Sequence, residues 1–404
     1  MKKLSIRDID VRGKRVLARV DFNVPLDTDR SITDDTRIME SIPTIRDVVD
    51  RGGRLILMSH LGRPRHGRDP DLSLAPVASR LAEIVRNPLR FASDCVGEDV
   101  RQKVAGMKDG DILLLENLRF HPQEEANDPA FAKELASIAD IYVNDAFGTA
   151  HRAHASTAGV ADYIPVRVAG YLMEKELKAL GDALNNPARP FLAVLGGAKI
   201  SGKIDLIASL MDRVDVLLVG GGMMYTFFKA SGLEVGKSIV DEKHLAMCKD
   251  LLSRARQPGR SRLLLPVDTI VAQEIDDDAP AREVSIADIP EDWMGVDIGP
   301  KSVDLFKAQI AAAKTIFWNG PMGVFEKPTF AEGTKAVARA IADATDRGAT
   351  TIVGGGDSVA ALNLMGIANR FTHISTGGGA SLEFMEGRSL PGVEALCDVA
   401  EVAG

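Results

Sequence analysis

Short, mostly apolar runs alternate along the chain with longer stretches in which apolar side chains return every three or four positions. In the first half the runs are Arg15–Val20, Arg54–Met58, Asp111–Leu115 and Ile141–Val143; in the second they are Phe191–Leu195, Val214–Val219, Thr351–Val353 and Thr372–Thr376. Helical periodicity marks Ile38–Arg51, Leu72–Arg86, Asp128–Ala139, Val240–Arg256 and Ala331–Arg347. Strand-like runs alternating with helical stretches predict α/β domains built on parallel sheets. One further helix, Gly170 to Asn186, carries Met173, Leu177, Leu180 and Leu184 on one face, pairs Glu174 with Lys178, and is ended by Pro187 and Pro190. It reads as a connector. The acidic stretch Glu274–Asp278 with Pro280, and later Pro290–Asp292, read as exposed loops or a hairpin. The partly apolar tail from Leu390 to Gly404 is expected to pack onto a domain.

The residues after each apolar run differ between the halves. In the second half they are glycines: Gly196–Lys199, Gly220–Gly222, Gly354–Ser358 and Gly377–Ser381 each open on a glycine run. A glycine turn between strand and helix lets backbone N–H groups and a helix N-terminus approach an anion closely. Four such turns point to a polyphosphate site with several walls, and a nucleotide is the natural ligand. In the first half the runs lead into Asp21, Phe22 and Asn23, into Ser59–Pro64, into Glu116–Arg119, and into Asn144 and Asp145 followed by His151–His154. Ligands of open α/β sheets bind outside the carboxyl ends of the strands. With Arg37, placed in the turn before Ile38–Arg51, this collects Arg37, Arg63, Arg119 and Arg152 together with His60, His151 and His154. Guanidinium forks match carboxylates and phosphates bidentately, so a small, multiply charged anion is implied.

Composition narrows the partners. The 404 residues suffice for two or three domains, and their 45% hydrophobic and 26% charged content is that of a globular protein. A net charge of −8 argues against nucleic acid or an acidic membrane as the main partner, which makes the arginines a local site in an acidic protein. No apolar run approaches the ~20 residues that span a bilayer. Cys95, Cys248 and Cys397 lack metal-ligand spacing and cannot all pair within the chain, so a reducing, cytoplasmic setting is the simplest account.

Two familiar nucleotide motifs fail. Gly197–Lys203 fits the opening of a P-loop, but the position that must offer a magnesium-binding hydroxyl is Ile204. The dinucleotide fingerprint fails because Tyr225 stands at its third glycine. Taken in order, however, Arg19–Leu26 (RVDFNVPL), Ser59–Pro64 (SHLGRP), Glu116–Phe120 (ENLRF) and Ala150–His154 (AHRAH) resemble the substrate motifs of the phosphoglycerate kinase family. Gly196–Lys199 (GGAK), Trp318–Glu326 (WNGPMGVFE), Gly354–Asp357 (GGGD) and Thr376–Ser381 (TGGGAS) resemble its nucleotide and catalytic motifs. The match runs from about residue 4 to about residue 390.

The resemblance implies an α/β monomer of two lobes, each a parallel β-sheet flanked by helices in a Rossmann-like, doubly wound arrangement, joined by the long connecting helix. Residues 1–169 would form the phosphoglycerate lobe, 170–186 the interdomain helix, 187–389 the nucleotide lobe, and 390–404 a tail returning to the first lobe. The implied reaction is reversible transfer of the acyl phosphate of 1,3-bisphosphoglycerate to ADP, giving 3-phosphoglycerate and ATP, with Mg²⁺ accompanying the nucleotide. Carried over by motif, Asp21, Phe22, Asn23, Arg37, His60, Leu61, Gly62, Arg63, Arg119 and Arg152 would hold the glycerate. Gly197, Lys203, Gly221, Gly295, Asn319, Pro321, Glu326, Gly355, Gly356, Asp357 and Ser358 would surround the nucleotide, Glu326 facing the ribose and Asp357 the metal. Arg37, Lys199, Gly378 and Gly379 would stabilise charge on the migrating group. Two departures stand out: Ser358 replaces a threonine common in the family, and Gly202 weakens the start of its helix by roughly 1 kcal/mol relative to alanine. Another two-lobed kinase, or a non-catalytic anion or nucleotide sensor, is the alternative.

Overall fold

A computed structural model describes residues 2–65 and 67–399. The chain divides into two compact units, Met1–Lys178 with Ser389 onward, and Ala179–Arg388. The division falls inside the helix Tyr171–Asn185.

The first unit is built on six parallel strands: β1 (Arg15–Val20), β2 (Arg54–Met58), β3 (Leu89–Phe91), β4 (Ile112–Leu114), β5 (Ile141–Asp145) and β6 (Val166–Ala169), in the order β3-β4-β2-β1-β5-β6. The inner strands β1, β2, β4 and β5 are buried almost throughout, which is why these segments read as mostly apolar runs without alternation, whereas the edge strands β3 and β6 are only partly buried. The helix Thr36–Asp50 shows the packing: Ile38, Ile42, Ile45 and Val49 return at helical spacing and join Val16, Ala18, Leu55 and Leu57 in one core. Arg37 is therefore the second residue of a helix and not part of a preceding turn. The chain order reverses between β1 and β5, so a crevice opens at the carboxyl ends of those strands.

The end of the chain is part of this unit. Cys397 N–H donates to Arg167 O and its carbonyl accepts from Leu4 N–H, while Lys3 Nζ reaches Leu396 O at 3.0 Å and Asp398 at 3.1 Å. Leu390, Val393 and Leu396 are buried. Residues 400–404 of the expected tail lie outside the described residues.

The second unit has six parallel strands in the order β15-β14-β13-β7-β8-β9: β7 (Phe191–Leu195), β8 (Val216–Val219), β9 (Arg262–Leu264), β13 (Thr315–Asn319), β14 (Thr350–Gly354) and β15 (His373–Ile374). The order reverses between β7 and β13, which places the residues after Leu195 and after Asn319 at the switch point. Between β9 and β13 the chain forms an antiparallel sheet that the parallel pattern did not announce: β10 (Asp268–Ala272), β11 (Ala281–Ser285) and β12 (Met294–Ile298), in the order β11-β10-β12. The acidic stretch is the hairpin connection between β10 and β11, and β11 is mostly exposed, as antiparallel sheets allow on one face. Among the described residues, no helix is long and apolar enough to cross a membrane.

Candidate functional site

In the first unit the strand ends form a cluster whose loops are fastened to one another. Phe22 N–H donates to Ser59 Oγ at 2.9 Å and Gly62 N–H to Asn23 Oδ1 at 2.8 Å. Asn117 ties three segments together by accepting from Leu61 N–H and donating to Leu61 O and Leu72 O. Phe22 and Leu61 are buried, with their N–H groups already engaged. The positions of Phe22, Leu61 and Gly62 thus set the shape of the loops that carry the charged groups.

Those groups converge on one place. Arg37 pairs with Asp21, and Arg119 donates to Gly62 O at 2.8 Å and pairs with Glu125. Arg152 donates to His151 Nε2 at 3.2 Å, whereas Arg63 is exposed and makes no side-chain hydrogen bond or ion pair among the described residues. His60 is 5% exposed. Its pKa is driven well below the ordinary imidazole value by burial and by the charges of Arg19, Arg119, Arg37 and Arg152. His154 is lowered to about 4, again by burial first and then by Arg119. Both histidines are neutral at physiological pH, so the site's positive charge is carried by arginine.

Arg19, which motif reading left unassigned, is the arginine beneath this cluster. It is 1% exposed, donates to Ser156 Oγ at 2.9 Å, to Val20 O and to His60 Nδ1 at 3.0 Å. A guanidinium can only donate, so Nδ1 of His60 accepts and the ring's proton sits on Nε2. Ser156 in turn donates to Glu124, a carboxylate 1% exposed whose pKa burial raises. Arg19 lies inside an apolar strand and Glu124 in a helix-free loop. Only the strand pattern, interrupted by one charged residue at a buried position, could have signalled the first, and nothing in the sequence signals the second.

In the second unit a cavity of about 240 Å³ opens at the switch point. Gly197, Gly221, Gly295, Pro321, Glu326 and Asp357 line it. Its walls are backbones in close approach. Gly196 N–H donates to Asn319 O, Gly197 N–H to Pro321 O and Gly221 N–H to Met322 O. A Cβ on Gly295 would lie 1.7 Å from the hydroxyl of Tyr225, whose oxygen is bonded to Thr269 Oγ1 at 2.7 Å. Lys237 and Met294 also line the cavity and were not singled out from the sequence, since neither belongs to one of the four glycine runs that follow an apolar run.

The two lysines of this unit differ. Lys199 is exposed and has no hydrogen-bond or ion-pair partner among the described residues. Lys203 is partly buried, donates to Gly196 O at 2.6 Å and Asn319 O at 3.1 Å, and burial lowers its pKa to about 8 against the opposing pull of Asp357. Ser358 is buried with its hydroxyl accepting from Gly320 N–H at 2.6 Å, so it braces the loop after β13. The buried Nδ2 of Asn319 has no hydrogen-bond partner among the described residues, and Gly355, at φ +90°, leaves room for it: a Cβ there would lie 2.7 Å away. Gly356 and Asp357 begin the helix Gly356–Met365, and Asp357 is exposed with no ion-pair partner among the described residues. Gly378, at φ +50°, precedes the helix Gly379–Met385, whose first N–H groups have no intrahelical acceptor.

Asp297 lies in the cavity wall and accepts from the N–H groups of Gly333 and Ile298 at 2.7 and 2.8 Å. Burial nevertheless pushes its pKa up to about 7. Because the folded state then holds a proton that the unfolded chain has lost above the ordinary carboxylate range, the contribution of Asp297 to stability is fully present below about pH 4 and is lost as pH rises towards 7. The loss is about 1.4 kcal/mol for each pH unit over which only the folded state keeps the proton. Asp145, pushed up to about 6 by burial, acts in the same direction in the other unit. Urea denaturation at pH 5 and pH 8 is expected to show a larger loss for the unsubstituted protein than for Asp297→Asn; equal losses would exclude Asp297 as a source.

The candidate site is thus carried by two doubly wound units, one with arginines converging at its strand ends and the other with a glycine-walled cavity at its switch point. The chain belongs to the phosphoglycerate kinase family: the family's model, described as "Phosphoglycerate kinase", matches residues 6–388. It is 59% identical over 398 residues to the phosphoglycerate kinase of Chlorobaculum tepidum, covering 98% of this chain and all of that one. To that of Chlorobium luteolum it is 59% identical over 396 residues, with the same coverage. Among solved structures, the phosphoglycerate kinase of Coxiella burnetii superposes with a TM-score of 0.88 at 41% identity, covering 98% of this chain and 99% of that one. The enzyme of Pyrococcus horikoshii gives 0.83 at 32% identity, covering 97% and 98%. Members of this family are kinases that act on the carboxyl group of 3-phosphoglycerate, and this chain is one of them.

Proposed function

We propose that the arginines of the first unit hold 3-phosphoglycerate or 1,3-bisphosphoglycerate, that the cavity of the second holds ATP or ADP, and that the chain moves a phosphoryl group reversibly between them. The observation that carries this reading is the convergence of Arg19, Arg37, Arg119 and Arg152 on the buried, neutral His60. So much positive charge at one strand-end crevice is stable when a multiply charged anion balances it. His60 would present its Nε2–H as a neutral donor, with Asn23 and Arg63 completing the anion's surroundings.

The chemistry needs no general base, because the acceptor is already an anion: a β-phosphate in one direction and a carboxylate in the other. Catalysis then consists of positioning and of stabilising charge on the migrating group. Arg37, Lys199 and the N–H groups of Gly378 and Gly379 are assigned to that charge. Lys203 would contact the nucleotide phosphates once it leaves the carbonyls of Gly196 and Asn319, and Glu326 would accept from the ribose hydroxyls. Asp357, an exposed carboxylate in the nucleotide cavity, fits magnesium, which is commonly held by one or two carboxylates and substrate phosphates. Bound there, Mg²⁺ would neutralise phosphate charge. The reading includes a monomer working in the cytoplasm, which suits three cysteines that are all buried and free.

A coupled assay with ATP, Mg²⁺ and 3-phosphoglycerate tests the whole reading; turnover of a different acceptor but not of 3-phosphoglycerate would overturn it. The division of labour has its own test. Arg119→Ala is expected to weaken 3-phosphoglycerate binding with nucleotide affinity nearly unchanged, and Glu326→Ala to do the reverse. Calorimetry finding both variants impaired equally for both ligands would refute the assignment.

A further inference from the structure

Asp94, Cys95 and His121 form a group that none of the roles above uses. Asp94 and Cys95 follow β3, and His121 ends the turn Leu118–Phe120. One oxygen of Asp94 lies 2.6 Å from His121 Nε2 and also accepts from Cys95 N–H. The donor atoms of the three side chains all lie within 4.8 Å of one another. Cys95 is fully buried, while the side chains of His121 and Asp94 are 26% and 46% exposed, so the group is closed on the sulfur side and open to solvent on the carboxylate side. The imidazole does not depend on Asp94 alone for its orientation: it stacks on Phe131 with ring centroids 5.2 Å apart.

The donor set is selective. Oxygen-only sites suit Mg²⁺ and Ca²⁺, whereas thiolate with imidazole suits zinc and its neighbours, and three protein ligands with one open position is a common zinc arrangement. Zinc bonds of about 2.0–2.3 Å put ligand atoms of a tetrahedron on the order of 3.5 Å apart. The Asp94–His121 contact must open by roughly 1 Å to reach that spacing, a shift that partly exposed side chains can make. We propose that Asp94, Cys95 and His121 bind a borderline-soft divalent cation of the zinc type, with a water as the fourth ligand. On binding, the Cys95 thiol gives its proton to solvent, the metal takes the place of the proton on His121 Nε2 while Nδ1 takes one up from solvent so that the imidazole stays neutral, the Asp94–His121 hydrogen bond is exchanged for two metal bonds, and nothing is oxidised or reduced. The site lies two residues beyond Arg119, so an occupied site would tether the segment that carries one of the anion-binding arginines.

Cobalt is the probe, titrated into the purified full-length protein. One equivalent is expected to produce a near-ultraviolet thiolate-to-cobalt band with tetrahedral visible absorption, and Zn²⁺ but not millimolar Mg²⁺ should abolish it. Cys95→Ser should remove the thiolate band, while Cys248→Ser and Cys397→Ser should retain it. His121→Gln, a substitution at a partly exposed position that does not threaten folding, should weaken cobalt binding at least about tenfold, the lower edge of what losing an outer-shell partner already costs a metal site. No thiolate band in the unsubstituted protein, a band that survives Cys95→Ser, unchanged affinity in His121→Gln, or displacement by Mg²⁺ would each overturn the proposal.

Discussion

Replacing Arg37 or Lys199 with alanine is expected to lower kcat by on the order of 10³–10⁵, about 4–7 kcal/mol, while raising KM for either substrate far less. The two cations start from different states. Lys199 stands exposed, with no partner among the described residues to compensate its charge. Arg37 is held by Asp21, near the N-terminus of its helix. What they share is a place in the candidate site of their own unit, and phosphoryl transfer draws most of its acceleration from cations that meet charge developing on the migrating oxygens. Lys203 is a useful contrast. Its ammonium is already satisfied by two carbonyls of the cavity wall, so Lys203→Ala should disturb nucleotide binding as well as rate. Steady-state kinetics in which Arg37→Ala and Lys199→Ala keep kcat within about tenfold of the unsubstituted enzyme would reduce both residues to binding roles.

The parts of the molecule that sequence made legible are those governed by local rules. Buried parallel strands are mostly apolar on both faces, so β1, β2 and β7 could be delimited to the residue as short apolar runs, β1 in spite of its buried Arg19. Helices announced themselves by period but began later or ended earlier than the periodicity suggested: Leu72–Arg86 contains a helix only over Ala75–Ile84, because Pro70–Leu72 forms a separate 3-10 turn and Val85 is already extended. The antiparallel sheet was not legible beyond its hairpin. Its strands are short, and β11 is polar enough to pass for a loop. In the candidate sites, motif reading picked out residues by their charge or by their glycine turns. It missed the groups that hold those residues in place: Arg19 and Glu124 beneath His60, Ser59 and Asn117 bracing the loops, and Asp297 in the cavity wall. Such contacts join segments far apart in the chain, and no local pattern encodes them.

Gly196→Ala is expected to weaken nucleotide binding by on the order of 10²-fold, with a loss of about 1–3 kcal/mol in the stability of its unit. The backbone after β7 and the backbone after β13 run past each other here in close approach. A Cβ on Gly196 would lie 2.0 Å from Pro321 O and 2.7 Å from Gly320 O. These are backbone atoms in a segment fixed by the Gly196–Asn319 and Gly197–Pro321 hydrogen bonds, so neither can swing aside as a flexible side chain would. The loops must separate, and Lys203, which donates to Gly196 O and Asn319 O across the same gap, must lose at least one partner. Gly197 and Pro321 line the cavity and would move with them. Gly202 is the matched control. It lies in the turn before the helix Ile204–Leu210 and is exposed; a Cβ there would meet no atom within 4 Å, and its backbone is not left-handed. Gly202→Ala should therefore leave affinity unchanged and stabilise the protein by about 0.4–1 kcal/mol through the unfolded chain. Calorimetry with ADP and urea denaturation on the two variants decide the matter: if Gly196→Ala binds ADP as tightly as Gly202→Ala, close backbone approach is not what shapes the cavity.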